Sequence, residues 1–131
     1  MRIMIDTNVI ISAIYNPTSK PARVMRDICR DHDLVLCDHI VAECYDVVKK
    51  RFPQHVSVLD KLLTSLVYEM VISPREPNSL IDDPKDSPIL NAAILADVDV
   101  IISGDKHFLR LDMERPRIMA PAAYFEENLN K

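Results

Sequence analysis

Short apolar runs alternate along this chain with longer stretches whose apolar residues recur every three or four positions, which points to a fold that alternates strands and helices. The strand-like runs are Arg2–Ile5, Leu34–Cys37, Met70–Ser73, Val98–Ser103 and Ile118–Ala120. Between the first two, Val9, Ile10, Ala13 and Ile14 predict a helix from Thr7 to Tyr15, and Asn16–Ser19 reads as a turn. Pro21 near a helix start opens a second helix to about Asp31, with Val24, Met25 and Ile28 on its apolar side. Asp38 reads as the N-cap of a third helix that ends near Pro53. A fourth is expected over Val56 to Met70, where Val58, Leu59, Leu62, Leu63, Leu66 and Val67 recur at helical spacing. The polar, proline-bearing stretch Pro74 to Lys85 reads as a loop. Ser87-Pro88 starts a helix through Ala96, a short helical turn surrounds Phe108, and Pro121 opens a terminal helix.

Strands separated by helical segments predict a central, mostly parallel sheet with helices on both faces. The length, 131 residues, suits one domain over residues 1–131, and no repeat, linker or low-complexity tract divides it. The net charge of -4 argues against a protein that coats nucleic acid through bulk positive charge, yet leaves room for an enzyme with clustered carboxylates. No apolar run approaches the roughly 20 residues needed to cross a bilayer, and the N-terminus does not read as a signal peptide. Three cysteines, Cys29, Cys37 and Cys44, lack paired spacing and fit reduced thiols in a cytoplasmic protein. With His39 they form no standard zinc pattern. Gly104, the single glycine, marks a position of interest.

Ligands of open α/β sheets collect at the carboxyl ends of the strands. Asp6 directly follows the first strand, and Asp105 follows the strand ending at Ser103-Gly104. Either acid alone is better explained as a helix N-cap or loop charge; both after the two clearest strands shift the balance toward a shared edge. Glu43 falls beside the apolar stripe of Ile40, Cys44, Val47 and Val48, where a carboxylate needs a partner, a proton or a cation. Lys50 is one candidate partner. Asp86 stands at the mouth of the Ser87 helix, either completing its N-terminus or projecting to the sheet edge. Asp82 and Asp83, in the loop before it, read as solvated acids, with substitution for Asp86 as the other reading. Four convergent acids without a histidine or cysteine set suit Mg²⁺ or Mn²⁺, and such a cluster can activate water against a phosphodiester.

Taken together, four blocks resemble the PIN-domain family: Met4-Ile-Asp-Thr-Asn-Val-Ile-Ile-Ser12, Ile40-Val-Ala-Glu43, Asp86-Ser-Pro-Ile-Leu-Asn-Ala-Ala-Ile94 and Ile101-Ile-Ser-Gly-Asp-Lys-His-Phe-Leu109. They span nearly the whole chain in the family's order. Stand-alone prokaryotic PIN proteins, including VapC-type toxins, are the nearest likeness. The resemblance implies a three-layer α/β fold and a Mg²⁺- or Mn²⁺-dependent endoribonuclease, with Asp6, Glu43, Asp86 and Asp105 as metal-binding and catalytic acids. It also implies an RNA substrate, a homodimer and a cognate antitoxin. Thr7, Asn8 and Ser103 are expected to orient carboxylates, water or phosphate, although Thr7 and Asn8 equally suit a helix start. His107 stands where many relatives carry a further aspartate.

Arg23, Arg26 and Arg30 share one side of the second helix and are candidates for RNA phosphates or an acidic partner, against the alternative of a solvated face. Lys49-Lys-Arg51 sits at a helix C-terminus, where positive charge is favourable without any ligand. Met25, Ile28 and the helix from Val56 are expected in the core, with dimer or antitoxin contacts as the other reading. Two rivals to the nuclease remain: a PIN-like module that binds RNA or protein without turnover, and a receiver-like domain whose acids hold Mg²⁺ during phosphorylation.

Overall fold

The computed structural model describes residues 1–76, 80–81 and 86–129. Its strands are β1 (Arg2–Ile5), β2 (Asp33–Cys37), β3 (Glu69–Val71), β4 (Val100–Ile102) and β5 (Arg117–Met119), and its helices are α1 (Thr7–Tyr15), α2 (Lys20–Asp31), α3 (Asp38–Arg51), α4 (Val56–Ser65), α5 (Ser87–Leu95), α6 (Lys106–Leu109) and α7 (Pro121–Asn128). The strands form one sheet in the order β3-β2-β1-β4-β5, and every neighbouring pair is parallel. Met4 pairs with Val35 on one side and Ile101 on the other. This is the helix-flanked parallel sheet expected from the alternation of runs.

Burial explains why the central strands read as unbroken apolar runs rather than alternating ones. Ile3, Met4 and Ile5 of β1 and Ile101 and Ile102 of β4 are fully buried, as a parallel strand covered on both faces requires. The helices contribute narrower stripes to the same core, including Val9 and Ile10 from α1, Val24 and Ile28 from α2 and Leu90 from α5. Met25 and Ile28 are buried as expected. Asp27 is an acid within this packing: Tyr124 donates to its Oδ2 at 2.7 Å and Arg30 to its Oδ1 at 2.9 Å, tying α2 to α7.

Three expectations need correction. Asp38 is the first residue of α3 rather than its cap; Cys37 holds the cap position, and the Asp38 carboxylate accepts from the Ser73 backbone N–H at 2.7 Å and pairs with Arg75 at 2.9 Å. Helix α4 stops at Ser65, short of Met70, although its apolar spacing continues through Val67. The strand expected from Met70 to Ser73 accordingly lies at Glu69–Val71. The cause is tertiary: pairing Val35 with Glu69 and Cys37 with Val71 draws the chain into the sheet edge, and a helix cannot supply that ladder. Of the expected loop from Pro74 to Lys85, residues 77–79 and 82–85, among them Asp82 and Asp83, lie outside the described residues.

Candidate functional site

From β1 the chain crosses to β2 on one side, while β4 and β5 lie on the other. That reversal opens a crevice at the carboxyl ends of β1 and β4, where open α/β sheets place ligands. Asp6 leaves β1 at this point, its N–H donating to the Ile102 carbonyl of β4 at 2.9 Å. The cleft there encloses about 170 Å³ and is lined by Asp6, Thr7, Asn8, Glu43, Val47, Asp86 and Asp105. All four acids singled out in the sequence therefore line one cleft, and among the described residues no lysine or arginine lines it.

Hydrogen bonds join most of these groups into one chain. Thr7 Oγ1 donates to Glu43 Oε1 at 2.9 Å, and the Thr7 N–H donates to Asp6 Oδ1 at 2.7 Å. Ser103 Oγ donates to Asp6 Oδ2 at 2.8 Å and accepts from the Asp105 N–H at 3.0 Å. Asp105 in turn uses Oδ1 to cap α6, accepting from the His107 N–H at 2.7 Å. Thr7 and Ser103 thus orient two of the four carboxylates, Asp6 and Glu43, while Ser103 also holds the Asp105 backbone. Asn8 lines the cleft with an exposed side chain. Asp86 occupies the N-cap position of α5, but its side chain makes no capping bond and is largely buried against the cleft. Both readings of Asp86 therefore hold: it stands at the positive end of α5 and its carboxylate also lines the cleft.

Burial beside other acids leaves an electrostatic mark on Asp6. Burial, chiefly, pushes its carboxyl up from 3.8 to about 6, against the hydrogen bonds from Ser103 and Thr7, and the charges of Glu43 and Asp105 add to the rise. A carboxylate in that position is short of positive charge. Among the described residues the metal-ligating atoms of the lining are oxygens, the chemistry that Mg²⁺ and Mn²⁺ prefer. Among the described residues no three histidine, cysteine or acidic side chains are already gathered as a ligand set. The donor set fits an ion that retains several of its waters within the cleft better than one enclosed by protein alone.

Glu43 pairs with Thr7 rather than Lys50, and it has a neighbour that the sequence reading passed over. His39, one turn earlier on α3, places Nε2 3.6 Å from the same Oε1. Its i,i+4 spacing from Glu43 was the available signal. His107 does not line the cleft. Gly104 has neither a positive φ nor any atom within 4 Å of where a Cβ would stand, so neither backbone nor packing requires glycine there. The Cys44 thiol is pushed up to about 12, by burial first and then by Glu43 and Asp6.

Arg23, Arg26 and Arg30 line a separate depression with Asp27 and Leu129, sharing no residue with the acid cleft. Each is engaged within the protein: Arg23 lies over the Phe125 ring at 4.8 Å, Arg26 donates to the Pro17 carbonyl at 2.9 Å, and Arg30 pairs with Asp27 and Asp31. Among the described residues, no helix is long and apolar enough to cross a membrane.

Comparison with known proteins adds three findings. A family model described as a PIN domain matches residues 2–107, a span that contains all four acids. The uncharacterized protein MJ1680 of Methanocaldococcus jannaschii is 25% identical over 118 residues, which cover 85% of this chain and 75% of that protein. Among solved structures, one of VapBC2 from Rickettsia felis bound to a DNA fragment from their promoter contains a similar chain. It aligns with a TM-score of 0.69 at 18% identity, over 92% of this chain and 98% of that one. At that identity the likeness carries the fold alone.

Proposed function

The chain belongs to the PIN-domain family, whose members are generally nucleases, and on that premise we propose that it is a Mg²⁺- or Mn²⁺-dependent endoribonuclease built as a single domain over residues 1–131. The observation that carries this reading is the acid cleft: Asp6, Glu43, Asp86 and Asp105 come from four separate stretches of chain and line one crevice that, among the described residues, has no basic side chain in its lining. In this reading the four carboxylates hold the ion, which supplies the positive charge that acidifies water and stabilises a phosphodiester under attack. Ser103 and Thr7 keep Asp6 charged and oriented by donating to its two oxygens, while Thr7 also fixes one oxygen of Glu43. Asn8, exposed at the rim, is positioned to meet phosphate or water.

Cleavage of single-stranded and structured RNA in Mg²⁺ or Mn²⁺ tests the proposal, comparing wild type, Asp6→Asn and an EDTA control. Metal-dependent cleavage by wild type that Asp6→Asn lacks is the expected result. A folded protein that binds Mn²⁺ but cleaves none of a varied RNA panel would instead support a PIN-like module that binds without turnover.

A toxin role with a cognate antitoxin is the biological context we propose, alongside a homodimer. The supporting feature is an apolar groove of about 260 Å³ between α1, α2 and α4, lined by Ala13, Ile14, Met25, Val58 and Leu62 among others. Such a surface suits an apolar helix of a partner protein. Growth arrest on expression, relieved by co-expression of a neighbouring gene product that co-purifies with the chain, is the expected behaviour.

A further inference from the structure

The acid cleft offers a nucleic acid only the charge of its ion and otherwise repels phosphates, so a substrate strand gains from attachment outside it. One feature beside the cleft is suited to that. Helices α1 and α3 run side by side from the cleft: Thr7 bonds to Glu43 at one end, and Tyr15 packs on Phe52 just past the other. The Tyr15 and Phe52 ring centroids are 5.1 Å apart with planes inclined by 44°, and Phe52 meets His55 edge-on at 6.1 Å. Despite that contact Tyr15 remains 64% exposed. Asn8, Ser12 and Tyr15 are all exposed at helical spacing, and Asn8 lines the cleft. The helical rise puts Tyr15 about 10 Å along α1 from Asn8.

Free positive charge lies at the same end. Lys50 and Arg51, in the last turn of α3, are exposed and enter no ion pair among the described residues. Arg23, Arg26 and Arg30, by contrast, are committed to intramolecular contacts in a separate depression. We propose that the Tyr15–Phe52 pair is a stacking platform for a base of a single-stranded RNA running from the acid cleft along the α1–α3 seam, with Lys50 and Arg51 contacting its phosphates. Every base has a π face, so this attachment tolerates many sequences while the cleft acts on the backbone. The proposal rests on the nuclease reading above.

The test is RNA binding in Mg²⁺ by the Asp6→Asn protein, which leaves the strand intact, using a single-stranded oligoribonucleotide of mixed sequence. Tyr15→Ala added to it should bind about tenfold more weakly, whereas Tyr15→Phe, which keeps the ring, should bind like its parent. Because the chain has no tryptophan, Tyr15→Trp creates a single reporter whose emission should be quenched as RNA is added. Equal affinity of the Ala variant and its parent, or unchanged tryptophan emission with RNA bound, overturns the platform. The Phe and Trp variants decide the matter if the Ala variant fails to fold. RNA cleavage by wild type with an insensitive Tyr15 removes only this inference; neither binding nor cleavage of RNA removes the nuclease reading as well. A change of oligomeric state in Tyr15→Ala with RNA affinity intact would also overturn it and assign this face to protein contact.

Discussion

Asp6 offers a quantitative test that does not depend on finding the natural substrate. In metal-free protein its carboxyl is raised from 3.8 to about 6, principally by burial. The folded protein therefore holds the Asp6 proton more tightly than the unfolded chain does. The stability linked to that proton is fully present below about pH 4 and is lost as pH rises through about 6. The difference between 3.8 and about 6 corresponds to roughly 3 kcal/mol at full effect. Asp6→Asn removes the charge and can still accept from the Thr7 N–H, while its amide can donate to Ser103 Oγ. In EDTA the variant should be more stable than wild type at pH 8, by about 1–3 kcal/mol, and about equal to it at pH 4. For a chain of this length that is roughly 4–12 °C in Tm at the higher pH. Thermal denaturation of both proteins across this range, with and without Mn²⁺, makes the comparison, and groups common to both cancel. Excess Mn²⁺ should raise wild type and narrow or reverse the gap. An Asp6→Asn penalty equal at pH 4 and pH 8 would refute the reasoning, because it would mean that burial of this charge does not strain the fold.

Other parts of the molecule answer to equally simple measurements. Ser103→Ala removes the hydroxyl that donates to Asp6 Oδ2, so the pH at which metal-free stability declines should move upward, as read from denaturation midpoints against pH. Tyr124→Phe deletes the 2.7 Å bond to buried Asp27 and should cost about 1.5–3 kcal/mol in urea unfolding, with metal-dependent RNA cleavage retained because α7 does not line the acid cleft. Ile101→Ala in fully buried β4 should cost about 2–5 kcal/mol and show no dependence on metal or pH beyond that of wild type.

Much of the fold was legible because local spacing encodes burial. Unbroken apolar runs at Ile3–Ile5 and Val100–Ile102 announce strands covered on both faces, and Asp6 and Asp105 just beyond them announce their carboxyl ends. The ends of elements were less legible. Nothing in the periodicity of Val58 to Val67 reveals that the chain must leave the helix at Ser65 to pair Glu69 with Val35. Asp86 was legible in part: it stands at the head of its helix as the residue before Ser87-Pro88 should, and only the packed sheet edge decides that its carboxylate also lines the cleft. The sequence by itself determined which segments bury which faces and which acids stand at strand ends, since those properties depend on neighbours within a few residues. The tertiary structure alone decided that Ser103 reaches Asp6 across 97 positions and that Thr7 holds Glu43 across 36. Those contacts depend on the order and register of paired strands, set by the packing of the whole sheet rather than by any one segment.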